Sequence, residues 1–303
     1  MTTLATRFNH KLLYDEPLAK YTAARLGGPA EMLYIAREST EELAEVVQAA
    51  WAEDMPVRVL GGGANVLVAD SGLRGLVVIN RVSDVSFGMW HGGRNVAASS
   101  GTGLGLVARK CQARGLSGME WAISVPGTVG GAVVNNAGAH GSDMAASVRD
   151  VVVLEADGSP RLLTRLDLHY GYRYSTLKVR KDRRFIVLMV LLALQPDDPA
   201  AIEDRMHTYQ VYRKRTQPPG ASLGSIFKNP PGDYAGRLIE SCGLKGYTIG
   251  GVMVSPVHAN FFVTSGQATA SDYWHLIGHV REVVQSHTGI ALELEIEVLG
   301  EGF

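Results

Sequence analysis

Two glycine clusters, each set at the end of a β-type segment, constrain this chain more than any other feature. The first, Gly61-Gly62-Gly63-Ala64-Asn65, follows Val57-Arg58-Val59-Leu60 and leads into Val66-Leu67-Val68. The second, Pro126-Gly127-Thr128-Val129-Gly130-Gly131-Ala132, continues to Asn135-Asn136-Ala137-Gly138-Ala139-His140-Gly141. Without a Cβ, a backbone can approach a ligand closely and present several N–H donors in a tight arc, which suits anionic oxygens. Two such loops in one chain point to a diphosphate, and so to a bound dinucleotide. For either loop alone, a tight turn between strands is the competing explanation.

The common phosphate loops do not fit. A Walker loop ends in Gly-Lys-Ser/Thr, and neither cluster has a lysine there. The G-x-G-x-x-G fingerprint fails at Val66 after Gly61 and Gly63, and at Leu106 after Gly101 and Gly103. Neither loop reads as opening a long helix. The 29 basic residues balance 30 acidic ones with no basic block, so nucleic acid is not an expected partner. Glycine, at 35 of 303 residues, exceeds the usual roughly 7 % and suits a loop-rich ligand-binding protein. Cys111 and Cys242 each lie on an apolar stripe of helical spacing, which predicts core packing. No metal-ligand spacing is present. Residues 1–18 carry no apolar leader, and no run is long enough to span a membrane, so a cytoplasmic enzyme is expected.

Periodicity predicts a helix opened by a capping box at Ser39-Thr40-Glu41-Glu42, with Leu43, Val46, Val47, Ala50 and Trp51 along one stripe. Strands are predicted at 95–100, 148–155, 161–164 and 185–194, with Asp157-Gly158 as a hairpin turn. A helix at 104–114 interrupts them. Gln195-Pro196-Asp197-Asp198-Pro199 breaks the composition, and Pro199 suits a first helical position. Further helices are expected near 234–241 and 271–288, the second capped by Gly289. The alternation of 292–298 predicts a closing strand with Glu293, Glu295 and Glu297 on one face.

Taken together, the motifs resemble the UDP-N-acetylenolpyruvoylglucosamine reductase (MurB) family of flavoenzymes over nearly the whole chain. The resemblance runs from Tyr21-Thr22-Ala23-Ala24-Arg25-Leu26-Gly27-Gly28 through both glycine clusters, Gly115-Leu116-Ser117-Gly118-Met119-Glu120 and Tyr172-Arg173-Tyr174-Ser175. It continues through Gly224-Ser225-Ile226-Phe227-Lys228-Asn229-Pro230, Gly243-Leu244-Lys245-Gly246, Ser255-Pro256-Val257-His258-Ala259-Asn260-Phe261 and the Glu-rich end. The first loop is shared with the wider vanillyl-alcohol-oxidase group. The Gly-Ser-x-Phe-Lys-Asn-Pro segment beside Tyr-Arg-x-Ser is far more specific, and the Tyr-Arg-Tyr-Ser form is similar to the type II branch.

The resemblance implies an α+β fold: two FAD-binding subdomains of the vanillyl-alcohol-oxidase (PCMH-type) group, at 1–81 and 82–197, and a C-terminal α/β substrate-binding domain at 198–303. It implies that NADPH reduces FAD and that the flavin reduces the enolpyruvyl group of the UDP-sugar to UDP-N-acetylmuramate, a step of peptidoglycan synthesis. That step would link the chain to cell wall biogenesis, cell shape and cell division. FAD contacts would fall on Gly61, Gly62, Gly63, Ala64, Asn65, Val66, Gly127, Gly130, Gly131, Ala132 and Gly138. No His or Cys lies in the first loop, so the flavin is expected to be non-covalent. Tyr172, Lys228 and Asn229 would meet the substrate.

The implied catalytic set is Arg173, Ser225 and Glu295. Hydride addition to the terminal alkene carbon leaves negative charge on the carboxylate, which a planar guanidinium such as Arg173 can grip. Ser225 would protonate the adjacent carbon, helped by Lys228 or a water. Glu295 would support the intermediate and that network, and a neutral, protonated form of it would need a raised pKa. Read from the residues alone, Arg173 is equally a surface arginine, Ser225 a turn serine and Glu295 one of a solvated row. Glu297 stands where the family often has a basic residue. His140 and His258 read as structural hydrogen-bonding groups. Two rivals share the resemblance: an FAD-dependent oxidase of the wider group, and a flavin-binding scaffold without catalysis. A monomer is assumed.

Overall fold

A computed structural model describes residues 4–90 and 93–303. The first three residues of the stretch 1–18 lie outside the described residues. The chain forms two compact units, and each is built from separated stretches. The first takes the chain up to Leu13, then Leu33–Gly62 and Gly75–Arg213; the second takes Tyr14–Met32, Gly63–Arg74 and Lys214–Phe303.

The first unit begins with parallel pairing of Val57–Leu60 against Leu73–Asn80, Val57 opposite Leu76 through Leu60 opposite Ile79. The helix Thr40–Trp51 buries Leu43, Val46, Val47, Ala50 and Trp51, the stripe expected from its spacing. Its start differs in one detail from the predicted capping box. Ser39 Oγ accepts from the Glu42 N–H at 3.1 Å, but the Glu42 carboxylate reaches past Ser39 to the N–H groups of Arg37 and Glu38. Tyr34 and Lys11 also donate to it, at 2.6 and 3.0 Å. Four donors converge on one carboxylate, a stronger claim on it than the box geometry makes.

An antiparallel sheet of five strands follows, in the order Pro160–Thr164, Val148–Leu154, Ile186–Ala193, Gly93–Ser99, Val85–Trp90. The strands predicted at 95–100, 148–155, 161–164 and 185–194 fall on it, and Gly158 turns its hairpin at φ 80°. The helices Leu104–Gln112 and Val129–Asn135 contribute Leu104, Val107, Ala108, Cys111, Val129 and Val133 to one core with Val96, Val151, Val190 and Leu192 of the sheet. Ile202 and Met206 of the helix Pro199–Thr216 join the same core. Cys111 is fully buried, and burial pushes its thiol up to about 12, so it packs as a small apolar group. Cys242 is only half-buried, because it caps the end of the helix Ala235–Ser241 instead of lying inside it.

In the second unit a four-stranded antiparallel sheet runs Ser222–Ser225, Phe261–Thr264, Val252–Val254, Thr248–Ile249. The helix Ala270–Thr288 covers it with Tyr273, Leu276, Ile277, Val280 and Val284. It starts in a full capping box, Thr269 with Asp272, and ends at Gly289 with φ 74°. Ala24, Leu26 and Leu67, distant in sequence, complete that core.

The closing strand is shorter than its alternation predicts. Only Glu297–Leu299 forms a strand, parallel to Val66–Val68. Before it, Glu293 and Glu295 use a different neighbour: Lys228 N–H donates to Glu293 O, and Glu295 N–H to Ile226 O, each at 2.8 Å. The segment changes partner around a bend at Ile296, and that bend breaks the ladder.

Candidate active site

The first glycine loop packs directly on the second within the first unit. A Cβ placed on Gly61 would lie 2.2 Å from Thr128 Oγ1; one on Gly62 would lie 3.0 Å from Gly127 Cα. Gly61 is dictated by the Thr128 side chain and Gly62 by the Gly127 backbone, and Gly127 itself sits at φ 112°. The second cluster is not one continuous loop. Thr128 is the N-terminal flank of the helix Val129–Asn135, so Gly130, Gly131 and Ala132 are helical. Gly130 lets that helix touch Ser100, whose carbonyl accepts its N–H at 2.8 Å. Gly131 is exposed, and Ala132 turns its methyl into the core. Gly138 lies on a two-residue hairpin strand opposite Asp143.

Arg173 occupies a tight turn in the left-handed region, φ 54°, a conformation that costs a non-glycine residue about 1–3 kcal/mol. Surrounding bonds hold it there. Its guanidinium donates to Gly138 O at 3.1 Å and lies over the Tyr172 ring at 5.4 Å. Asn136 Nδ2 donates to Gly171 O at 2.8 Å, and Ser175 Oγ to Val134 O at 2.6 Å. Tyr172 is exposed. His140, on the same hairpin, stacks on Tyr209 with centroids 4.1 Å apart. Its pKa is lowered, chiefly by burial and then by Arg213, so the ring favours the neutral form.

The remaining candidates belong to the second unit. Gly63, at φ 59°, presses on the main chain of Tyr21 and Thr22. Asn65 Nδ2 donates to Glu295 O at 3.3 Å, and Glu297 N–H to Asn65 O at 2.9 Å. Asn65 thus ties the first glycine motif to the Glu-rich end, while Val66 pairs with Glu297. Ser225 ends its strand opposite Phe261. The 2.8 Å bond between Ile226 O and Glu295 N–H brings the Ser225 and Glu295 segments side by side. Lys228 reaches Glu293 at 3.1 Å, and Asn229 Oδ1 accepts from Ala235 N–H to start the next helix. His258 Nδ1 accepts from Asn260 N–H. Sequence reasoning passed over Thr128, Asn136 and Asn260, and only their places inside glycine- or serine-bearing motifs marked them.

The glycine chemistry fits a dinucleotide cofactor: at Gly61 and Gly62 a side chain would strike Thr128 and Gly127, so both turns are built from main chain, the donor type that suits phosphate oxygens. Just before that turn, Ser124 Oγ is buried and meets no protein partner among the described residues. Comparison with known proteins agrees. Residues 32–162 match the FAD binding domain, and residues 215–299 match the C-terminal domain of UDP-N-acetylenolpyruvoylglucosamine reductase. The UDP-N-acetylenolpyruvoylglucosamine reductase of Moorella thermoacetica is 43% identical, with 99% of this chain and 97% of that protein aligned. The chain belongs to the UDP-N-acetylenolpyruvoylglucosamine reductase family. The Bacillus subtilis relative is 38% identical over 96% of this chain and 94% of its own length. The crystal structure of the family member from Thermus caldophilus superposes with a TM-score of 0.79 at 36% identity, covering 95% of this chain and 98% of that one. The mixed α+β fold with an FAD-binding domain is therefore the one the motifs implied.

Proposed function

We infer that this member of the family reduces UDP-N-acetylenolpyruvoylglucosamine to UDP-N-acetylmuramate, with FAD as bound carrier and NADPH as reductant, in the synthesis of peptidoglycan precursors. The observation that carries the reading is the match to family members over almost the whole length of both chains, cofactor and C-terminal regions alike. Bound FAD supplies the hydride relay between the nicotinamide and the alkene.

The chain's own residues supply the rest. The glycine loops would hold the cofactor's phosphates with main-chain donors of Gly61, Gly62, Gly63, Ala64, Asn65, Val66 and Gly127. Arg173, rotationally locked by Gly138, grips the enolpyruvyl carboxylate and stabilises the charge that gathers on it. Ser225 Oγ gives its proton to the carbon next to the carboxylate, and Glu295 orients that network. Tyr172, Lys228 and Asn229 orient the UDP-sugar. Among the described residues, the three sheets of four or more strands and the start of the C-terminal match at 215 support a functional division at 1–81, 82–197 and 198–303. The described residues contain no helix long and apolar enough to cross a membrane. Balanced charge with no basic block supports an enzyme that engages no nucleic acid; a cytoplasmic location and a monomer are assumed.

The purified protein should be yellow with releasable FAD. NADPH should bleach it under anaerobic conditions, and UDP-N-acetylenolpyruvoylglucosamine should restore the colour. Ser225→Ala should be bleached normally yet form product about 10²–10⁴-fold more slowly, the usual cost of losing a positioned proton donor. Recolouring by oxygen but not by the UDP-sugar would favour an oxidase instead.

A further inference from the structure

On the edge facing Phe261, the strand that carries Ser225 keeps a single further main-chain partner and then runs out. Ser225 pairs with Phe261 across an irregular step, after Gly224 at φ 74°. Ile226 N–H then donates to Asn260 O at 2.9 Å. Beyond that point the neighbouring strand turns back, with Phe261 N–H bonded to His258 O. Phe227 has no strand left to pair with on this side, although its side chain is fully buried and its polar main chain is equally removed from water.

The Asn260 side chain fills the gap. Its Oδ1 accepts from Phe227 N–H at 3.0 Å, and its Nδ2 donates to Phe227 O at 2.8 Å. A primary amide has one acceptor and one donor at the spacing of a peptide group, so Asn260 extends the ladder by one residue. Asn260 is itself only 2% exposed. Its own N–H donates to His258 Nδ1 at 3.2 Å, and Ser255 Oγ accepts from His258 N–H at 3.3 Å. On the opposite edge, Ile226 O and Lys228 N–H are held by Glu295 and Glu293. The segment after Ser225 is thus clamped from both sides, by a side chain on one and by the Glu295 segment on the other.

We propose that Asn260 is a positioning residue for the reduction step: its amide sets the backbone from which the Ser225 hydroxyl and the Glu295 segment take their register. The proposal rests on Ser225 being the proton donor. Asn260 touches neither substrate nor cofactor in this role and acts only through the Ile226–Phe227 backbone.

The test uses the full-length holoenzyme in anaerobic stopped flow. Asn260→Asp keeps the acceptor for Phe227 N–H but sets an oxygen against Phe227 O. Flavin reduction by NADPH should stay within about twofold, while product formation should fall roughly 10- to 100-fold, the scale of displacing a catalytic group by about an ångström. In a Ser225→Ala background the same change should cost less than about threefold, because residues acting as one unit are not additive. Multiplicative losses in the double variant, or equal losses in both half-reactions, would reduce Asn260 to a fold-stabilising residue and overturn the proposal. Where Asn260→Asp does not fold, Asn260→Ser carries the same comparison with the same two outcomes. Wild-type turnover by Ser225→Ala would instead overturn the donor assignment on which the proposal stands.

Discussion

Gly61 and Glu42 show how differently single residues hold this fold. Gly61 is required by an absence: a Cβ there collides with Thr128, so a larger side chain must push the two glycine loops apart. Gly61→Val should therefore lose FAD on gel filtration while the protein stays folded by circular dichroism; undiminished FAD affinity would reduce the loop to a turn. Gly62→Val should weaken FAD in the same way, though the obstacle is now the Gly127 backbone. Glu42 is required by what it collects. Burial alone would raise its pKa, but donors from Tyr34, the Glu38 N–H, Lys11 and the Arg37 N–H outweigh burial and hold the carboxyl at about 2. A depressed folded-state pKa gives stability that is complete above the unfolded value near 4.5 and is lost as pH falls toward 2. Glu42→Gln should cost about 1–3 kcal/mol at pH 7 and flatten the acid limb, measured by urea unfolding at pH 7 and pH 3. An unchanged slope between those pH values would exclude Glu42 as the titrating group.

Among elements, the 3₁₀ turn Glu120–Ala122 and the helix Pro199–Thr216 depend on each other. Glu120 is buried, and burial would raise its pKa; Arg205 and Ser117 outweigh that and keep it charged. Arg205 bonds Glu120 at 2.7 Å and Asp197 at 2.6 Å. The turn leads straight into Ser124 and Gly127. Arg205→Met strands the Glu120 carboxylate, and since the arginine is part-exposed the loss should be about 1–3 kcal/mol, with weaker FAD binding read by fluorescence titration. Stability lost without any change in FAD affinity would uncouple the pair from the loop. Such elements were legible wherever one local signal sufficed. The apolar stripe of 40–51, the Asp157-Gly158 turn and the Gly289 cap each appear where their residues placed them. The terminal strand misled, because alternation at 292–298 carries no sign that Glu293 and Glu297 answer to different neighbours. Gly130 answers to two demands at once: close helix packing on Ser100 needs the same residue as a phosphate turn. Asn260 was invisible because its role depends on where another strand stops.

For the whole molecule, the chain crosses between the two units five times, at 13/14, 32/33, 62/63, 74/75 and 213/214. The second unit cannot be cut out as one segment. Residues 214–303 alone would lack Ala24, Leu26 and Leu67 from the core and the Val66–Val68 partner of the last strand. That fragment should show little chemical-shift dispersion by NMR and no cooperative thermal transition, whereas a cooperative transition would mean that the inserted stretches are accessory. The parallel pairing of Val66–Val68 with Glu297–Leu299 also has a meaning in time. On a ribosome, Asn65 emerges 230 residues before Glu295, the residue whose carbonyl it will bond. At ~5–20 residues per second that is a wait on the order of ten to fifty seconds. Throughout it Leu67 has no core to enter. The nascent chain thus carries an unpaired apolar strand for most of its synthesis.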